Sequence, residues 1–284
     1  VINQFAKTLE MQVLLAHVTG RSRSWLLAHP EASLTPEQEK ALETAARQLQ
    51  TGVPLPYILG HWEFFGLDFE VSPNVLIPRP ETELLIETAL AWARTHPPLG
   101  SAYRFIDIGT GSGIIPVTLA VHVPSAEITA TDISPAALAI ARQNAEKHGV
   151  EERIRFLEAD LLPDDRPLTM GDEPMVSGLS STVDILTANL PYIPSDTLQE
   201  LDVFGKEPTL ALDGGPDGLD LIRRLLAEIT ARQVTVGLIL LEIENRQGAA
   251  VKALARQHFP AADIQIKKDL AGHDRLVIVQ QSNC

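Results

Sequence analysis

Apolar positions recur along this chain in two rhythms. From Gln4 to about Leu49 the spacing is helical, with Phe5, Leu9, Gln12/Val13 and Ala16 returning every three to four residues, the period of a helix that buries one face. Ser33-Leu34-Thr35-Pro36-Glu37 reads as a cap with proline just inside a second helix. Between Gly52 and Pro80 the residues become aromatic and β-branched, broken by turn formers: Tyr57-Ile58-Leu59-Gly60, His61-Trp62-Glu63-Phe64-Phe65-Gly66, Phe69-Glu70-Val71 and Val75-Leu76-Ile77. That composition predicts a short hairpin acting as a bridge.

After Glu81 a helix runs to about Ala93, and short apolar runs then alternate with helical segments. The predicted strands are Arg104 to Ile108, Glu127 to Thr131, Arg155 to Glu158, Asp184 to Thr187, Gly237 to Ile243, Ile264 to Lys268 and Arg275 to Val279. Such alternation means a mostly parallel sheet with helices on both faces. Only Asp269-Leu270-Ala271-Gly272-His273-Asp274 separates the last two strands, so they form an antiparallel hairpin. Five parallel strands ending in an antiparallel pair resemble the class I methyltransferases. The expected fold is therefore α/β, a Rossmann-like seven-stranded sheet over residues 81–284, preceded by a helical domain at 1–52 and a β-hairpin linker at 53–80. Residues 164 to 182, rich in Asp, Pro, Gly and Ser, read as a surface loop without an assigned function.

Composition narrows the function. The 284 residues, 45% of them hydrophobic, are ample for a sizeable core. No apolar run reaches the roughly 18 residues of a membrane span, and the amino terminus, with Asn3, Gln4 and Lys7, lacks the shape of a signal peptide. No membrane contact and a cytoplasmic address are expected. The single cysteine, Cys284, reads as a bystander thiol, with no internal disulfide and no cysteine-built metal site. A net charge of −14 makes the chain repel a phosphate backbone. Direct nucleic-acid binding is disfavoured, although the excess is uneven: residues 151 to 200 are densely acidic, the first fifty are near neutral and the last thirty-four slightly basic.

Phe105-Ile106-Asp107-Ile108-Gly109-Thr110-Gly111-Ser112-Gly113 is a strand breaking into a glycine loop, followed by a helix from Ile114 to His122. Glycines let the backbone approach a ligand at the carboxyl edge of an open α/β sheet. A dinucleotide site would want glycine three residues after Gly111, where Ile114 stands. The G-x-G-x-G spacing suits an adenosyl-amino acid, which has no pyrophosphate. Asp132 closes the second strand, about twenty residues past the glycines, where an acid can accept from both ribose hydroxyls. Asp160 closes the third and can accept from an adenine amino group while Ile133 and Leu161 cover the ring faces. Each acid also has a plainer reading as a helix cap or solvated strand end. Acids closing three consecutive strands, Asp107 included, are harder to dismiss.

The fourth strand ends in Asn189-Leu190-Pro191-Tyr192. Pro191 has no N–H to donate and forces Leu190 to be extended, so this tetrapeptide continues a sheet badly. It suits the methylation of an amide or aromatic amine, whose delocalised lone pair makes a poor nucleophile that has to be aimed. With the Asn189 side-chain oxygen and the Leu190 carbonyl each accepting one N–H of an NH₂ group, the nitrogen is oriented and its developing positive charge stabilised. Tyr192 can stack on the planar group. Positioning of this kind supplies roughly 7–11 kcal/mol of barrier reduction, so no general base is required.

Asn189-Leu190-Pro191-Tyr192 resembles the Asn-Pro-Pro-Tyr motif of amino methyltransferases, and nearly the whole chain resembles the PrmC/HemK family of protein-glutamine N5-methyltransferases acting on release factors. The most specific match is Val75-Leu76-Ile77-Pro78-Arg79-Pro80-Glu81-Thr82-Glu83, preceded by Tyr57-Ile58-Leu59-Gly60 and Trp62-Glu63-Phe64. Leu15-Ala16-His17-Val18, Glu207-Pro208, Leu212-Asp213-Gly214-Gly215-Pro216-Asp217-Gly218-Leu219, Leu241-Glu242-Ile243 and Lys268-Asp269-Leu270-Ala271-Gly272 also match. The resemblance implies S-adenosyl-L-methionine as donor, S-adenosyl-L-homocysteine as product, no metal, and the Gly-Gly-Gln glutamine of class 1 peptide-chain release factors as acceptor. The helical domain then docks the factor, a monomer suffices, and Arg79-Pro80-Glu81-Thr82-Glu83 lines the pocket mouth. The plainer reading of that last stretch is a proline-started helix with acids in its first turn. Leu190 stands where the family has its first proline, and Glu244 where it usually has glycine.

Asn-Leu-Pro-Tyr is also the form in ribosomal RNA adenine dimethyltransferases, so adenine N6-methylation of ribosomal RNA or DNA is the alternative. An RNA enzyme is expected to be basic, and this chain is acidic. A catalytically silent binding module is a third reading; it has no need of the glycine loop, Asp132 or Asn189.

Overall fold

The computed structural model describes residues 8–163, 169–170, 173–174 and 182–281. Phe5 and Cys284 lie outside them, as does most of the 164–182 stretch. The chain forms two compact units, residues 1–62 and 63–284.

In the first unit, α1 (Leu9–Thr19) and α2 (Arg23–Ala28) precede α3 (Pro36–Gln50) and the short α4 (Leu55–Leu59). The predicted cap of α3 forms in full: Thr35 Oγ1 accepts from Gln38 N while the Gln38 side chain accepts from Thr35 N, with Pro36 in the first turn. The apolar face of α1 differs from the expected one. Leu9 is 60% exposed, whereas Leu14 and Leu15 are buried with Leu26, Leu42, Ala45 and Leu59, flanked by Met11 and Val18. That face steps 11, 14, 15, 18, two positions on from the expected 9, 12/13, 16, and the expected Val13 and Ala16 also pack half-buried against the same core. Leu55–Leu59, expected in the hairpin region, is helical because Pro56 sits in its first turn with backbone angles already set for a helix.

In the second unit the turn Phe65-Gly66 leads from β1 (His61–Phe64) to β2 (Leu67–Glu70). Both turn residues have positive φ, 53° and 74°, the two-residue geometry that matches strand twist. Next come α5 (Glu83–Thr95), β3 (Tyr103–Ile108), α6 (Ile114–His122), β4 (Ala126–Asp132), α7 (Pro135–Lys147) and β5 (Ile154–Glu158). They are followed by the two-residue strands β6 (Thr169–Met170) and β7 (Glu173–Pro174), then β8 (Thr182–Ala188), α8 (Ser195–Leu198), α9 (Asp220–Ala231), β9 (Thr235–Glu242), α10 (Gly248–His258), β10 (Asp263–Lys268) and β11 (Asp274–Gln280).

Among the described residues seven strands form one sheet in the order β10-β11-β9-β8-β3-β4-β5. All seven predicted strands are present. The final hairpin is not simply added at the edge: β11 inserts between β9 and β10 and runs antiparallel to both. Successive residues serve opposite cores, as the pleat requires. Phe105, Ile185, Leu238 and Leu240 join α5, α6 and α7 on one face, whereas Ile106, Leu186, Ile239 and Leu241 join α9 and α10 on the other. Burial on both faces explains why these strands read as continuous apolar runs.

Candidate active site

Parallel strands place all their carboxyl ends on one edge, so the loops after β3, β4, β5 and β8 meet there. They surround a cavity of about 890 Å³ lined by Gly109, Thr110, Gly111, Ser112, Asp132, Ile133, Asp160, Leu161, Asn189, Leu190, Pro191 and Arg79 among others. Asp107, Gly113, Pro80, Glu81 and Tyr192 do not line it.

The glycine loop is held from below and behind. Gly111 N donates to Asp132 Oδ2 at 2.8 Å, and Ser134 N donates to Asp132 Oδ1 at 2.8 Å. Burial raises the Asp132 pKa and these backbone donors oppose the rise. Each carboxylate oxygen retains a lone pair for a ribose hydroxyl. From behind, the buried Asn144 of α7 donates to Ser112 O at 2.9 Å and to Glu70 O at 3.0 Å, and accepts from Glu70 N at 2.7 Å. One side chain thereby ties the loop to β2. A Cβ on Gly109 would stand 3.0 Å from Leu190 Cδ2. Glycine is favoured there by its left-handed backbone, φ 71°, and the leucine that replaces the family's proline packs against it.

Asp107 lies behind the loop, 1% exposed, accepting from Thr187 Oγ1 at 2.7 Å. Burial pushes its carboxyl up to about 7. Asp160 reaches the cavity, but its Oδ2 accepts from Arg224 of α9 at 2.8 Å. Ile133 is 49% exposed at the rim. Leu161 adopts φ 74°, unusual for a side chain of its size, and its carbonyl accepts from Thr131 Oγ1 at 2.9 Å.

Asn189 follows β8, and its Nδ2 donates to Thr82 Oγ1 at 3.1 Å. That orientation leaves Oδ1 for a donor brought by a ligand. The loop after Asn189 is stitched to residues 212–218: Ile193 N donates to Leu212 O at 3.0 Å and Gly214 N to Ile193 O at 2.9 Å. Gln247 Nε2 donates to Tyr192 O at 2.8 Å, and Gln247 Oε1 accepts from Glu244 N at 3.0 Å. Glu244 thus acts through its backbone in the turn into α10, while its carboxylate pairs with Arg246. The Tyr192 hydroxyl donates to Glu242 Oε1 at 3.4 Å. Burial first, then the Glu242 carboxyl, raise the tyrosine pKa, so it remains an O–H donor.

The segment 73–79 walls the cavity, and the buried Glu207 anchors it by accepting from Ile77 N at 3.0 Å and from Arg79 Nη2. Sequence reasoning placed the strand-end acids, the glycine loop and the tetrapeptide on one edge. It placed Thr82 only at the pocket mouth, and Thr82 does line the cavity; it assigned no role to Glu242, Gln247, Asn144 or Glu207. Glu242 and Glu207 lie in family-like motifs, which was the available signal.

Comparisons with known proteins agree with this architecture. Residues 6–60 match the PrmC N-terminal domain and residues 99–169 a methyltransferase domain. Relatives named release factor glutamine methyltransferase include those of Moorella thermoacetica, 42% identical over 94% of this chain and 89% of that one, and Bordetella pertussis, 39% identical over 94% and 93%. That of Bacillus subtilis is 35% identical over 94% and 88%. Among solved structures, the catalytic domain of human METTL16 in complex with an RNA hairpin has a TM-score of 0.57 at 15% identity, covering 76% of each chain. Human methyltransferase 10 domain containing protein has a TM-score of 0.54 at 17% identity, covering 88% of this chain and 99% of that one. These two show the fold, an α/β class I methyltransferase. Near-full-length identity to the named relatives goes further: the chain belongs to the release factor glutamine methyltransferase family.

Proposed function

We propose that this enzyme transfers a methyl group from S-adenosylmethionine to the side-chain amide nitrogen, N5, of the glutamine in the Gly-Gly-Gln motif of class 1 peptide-chain release factors. The observation that carries the reading is Asn189, held by Thr82 beside the glycine loop in the same cavity as Asp132. The cavity suits an adenosyl-amino acid: its volume is ample for one, Gly109 lets Leu190 close over the loop, and Asp132 offers acceptors. When bound, S-adenosylmethionine supplies an electrophilic methyl on a sulfonium centre.

The protein's own residues do the rest. Asp132 accepts from the ribose hydroxyls, Gly111 and Ser112 approach the amino-acid end, and Ile133 and Leu161 cover the adenine. Asp160 serves the adenine amino group with whatever acceptor capacity its pairing with Arg224 leaves. Asn189 Oδ1 and the Leu190 carbonyl accept the two N–H bonds of the glutamine amide and aim its nitrogen at the methyl. Pro191 stiffens the loop, and Tyr192 braces it through Gln247 and Glu242. Arg79 belongs to the acceptor side of the site, and Pro80 and Glu81, outside the cavity wall, continue the chain from it. Residues 1–52 dock the factor, and the enzyme acts as a monomer in the cytoplasm, without a metal and on protein rather than nucleic acid. Adenine methylation is not favoured, since the near-full-length relatives carry the release-factor name.

The test is transfer of labelled methyl to a purified release factor, beside the same factor with its Gly-Gly-Gln glutamine changed to alanine. Label in the first alone is expected. Label in both, or in neither with cofactor binding intact, rules the assignment out.

A further inference from the structure

Behind Asn189 lies a buried polar cluster that the methyl transfer as described does not use. Thr82 is fully buried, and its Oγ1 accepts from Asn189 Nδ2. Glu242, at the end of β9 and 1% exposed, has its carboxyl pushed up to about 7 by burial, a rise that the Thr82 hydroxyl beside it opposes. Glu242 Oε1 accepts from Tyr192, while Oε2 is buried without a hydrogen-bond partner among the described residues.

A hydroxyl can donate or accept, so Thr82 alone cannot choose between the two near-isosteric orientations of the Asn189 amide. The choice matters, because only one orientation leaves Oδ1 to accept from an incoming NH₂ group. A group that takes up the hydroxyl hydrogen leaves Thr82 nothing but lone pairs to offer, and Asn189 must then turn its NH₂ toward Thr82.

We propose that Glu242 is a positioning residue for methyl transfer: it accepts the Thr82 hydroxyl hydrogen and, through Thr82, fixes Asn189 with its side-chain oxygen toward the acceptor nitrogen. The inference rests on the amide-acceptor reading above. It requires an acceptor oxygen at position 242 rather than a charge, so glutamine should substitute and leucine should not.

The experiment is a double-mutant cycle in the full chain. Glu242→Leu is expected to lower kcat 10- to 50-fold, with the KM for the release factor and the Kd for S-adenosylmethionine changed less than threefold. Glu242→Gln is expected to keep at least a third of kcat. In an Asn189→Ala background Glu242→Leu should cost less than twofold further, because nothing remains to be oriented. Thr82→Val should reproduce the leucine variant and Thr82→Ser restore it, which keeps the test open if Glu242→Leu does not fold. NMR of the Asn189 side-chain amide supplies a readout that needs no acceptor: exchange protection in wild type and Glu242→Gln, lost in Glu242→Leu and Thr82→Val. A loss that persists undiminished in the Asn189→Ala background, or protection unaffected by either variant, overturns the proposal. Absence of methyl transfer by the wild-type chain would overturn the acceptor assignment, and the amide protection would still decide the role of Glu242.

Discussion

An amide nitrogen attacks poorly, so the role proposed for Asn189 is direction, and the role proposed for Asp132 is a place for the donor. The two roles separate in measurement. Asn189→Ala is expected to lower kcat about 10²- to 10³-fold, the cost of removing one preorganised polar group, with cofactor affinity within threefold. Asp132→Ala should weaken cofactor binding at least about tenfold, since hydrogen bonds to a charged group contribute about 1.5–3 kcal/mol each and Gly111 N also loses its acceptor. Calorimetric titration with the cofactor, beside single-turnover methyl transfer, distinguishes them; equal losses in both assays for both variants refute the division. The places of Asn189 and Asp132 at the cavity were legible in sequence because the proposed chemistry wants their types at strand ends. The bond from Asn189 to Thr82 and the place of Glu242 behind it were not, for a physical reason. Thr82 stands 107 positions from Asn189, and a buried hydroxyl after a proline reads locally as a helix start.

The catalytic loop is an element only in partnership with the one at 212–218. A Cβ on Gly218, at φ 75°, would overlap the Tyr192 carbonyl and the Gln247 amide. Gly218→Ala should therefore push Tyr192, and Asn189 three residues before it, out of place. The left-handed backbone alone costs about 1–2 kcal/mol. Gly149 provides the control: its φ is 64°, and a Cβ there would meet nothing within 4 Å. Gly149→Ala is expected to lower the melting temperature by a few degrees and leave kcat unchanged, whereas Gly218→Ala lowers both. A Gly218→Ala variant with wild-type turnover would show that the loop does not set the tetrapeptide. At this scale the seven strands were readable because strands buried on both faces are apolar runs. The position of β11 was not, since the spacing of a hairpin fixes its antiparallel sense but says nothing about which of its strands meets β9. Leu55–Leu59 misled because its aromatic and β-branched residues favour strands, while the placement of Pro56 decided for helix.

Across the whole molecule, two buried carboxyls on opposite sides of the site set a pH dependence of stability. Burial pushes Asp107 from 3.8 up to about 7 and Glu242 from 4.5 up to about 7. Both shifts are upward, so between the ordinary values and about pH 7 the folded protein keeps protons that the unfolded chain has released. Folding free energy is then lost as pH rises through that window, at up to about 1.4 kcal/mol per pH unit for each group. Asp213, Asp217 and Asp269 are shifted down by hydrogen bonds to their neighbours and act in the opposite sense only at lower pH. The net charge of −14 adds self-repulsion that also grows with pH, so a fall in melting temperature from pH 5 to pH 8 would not by itself identify the cause. The comparison that does is Asp107→Asn with Glu242→Gln, which mimics the protonated state of both groups and changes the chain's charge by only two. Its melting temperature should change much less over pH 5 to 8 than that of the wild type, and the gap between the two curves should narrow as pH falls toward the ordinary carboxyl values of 3.8 and 4.5, below which folded and unfolded chains alike hold both protons. Parallel curves would mean that surface charge alone governs the decline and that neither carboxyl is buried with an altered affinity for its proton.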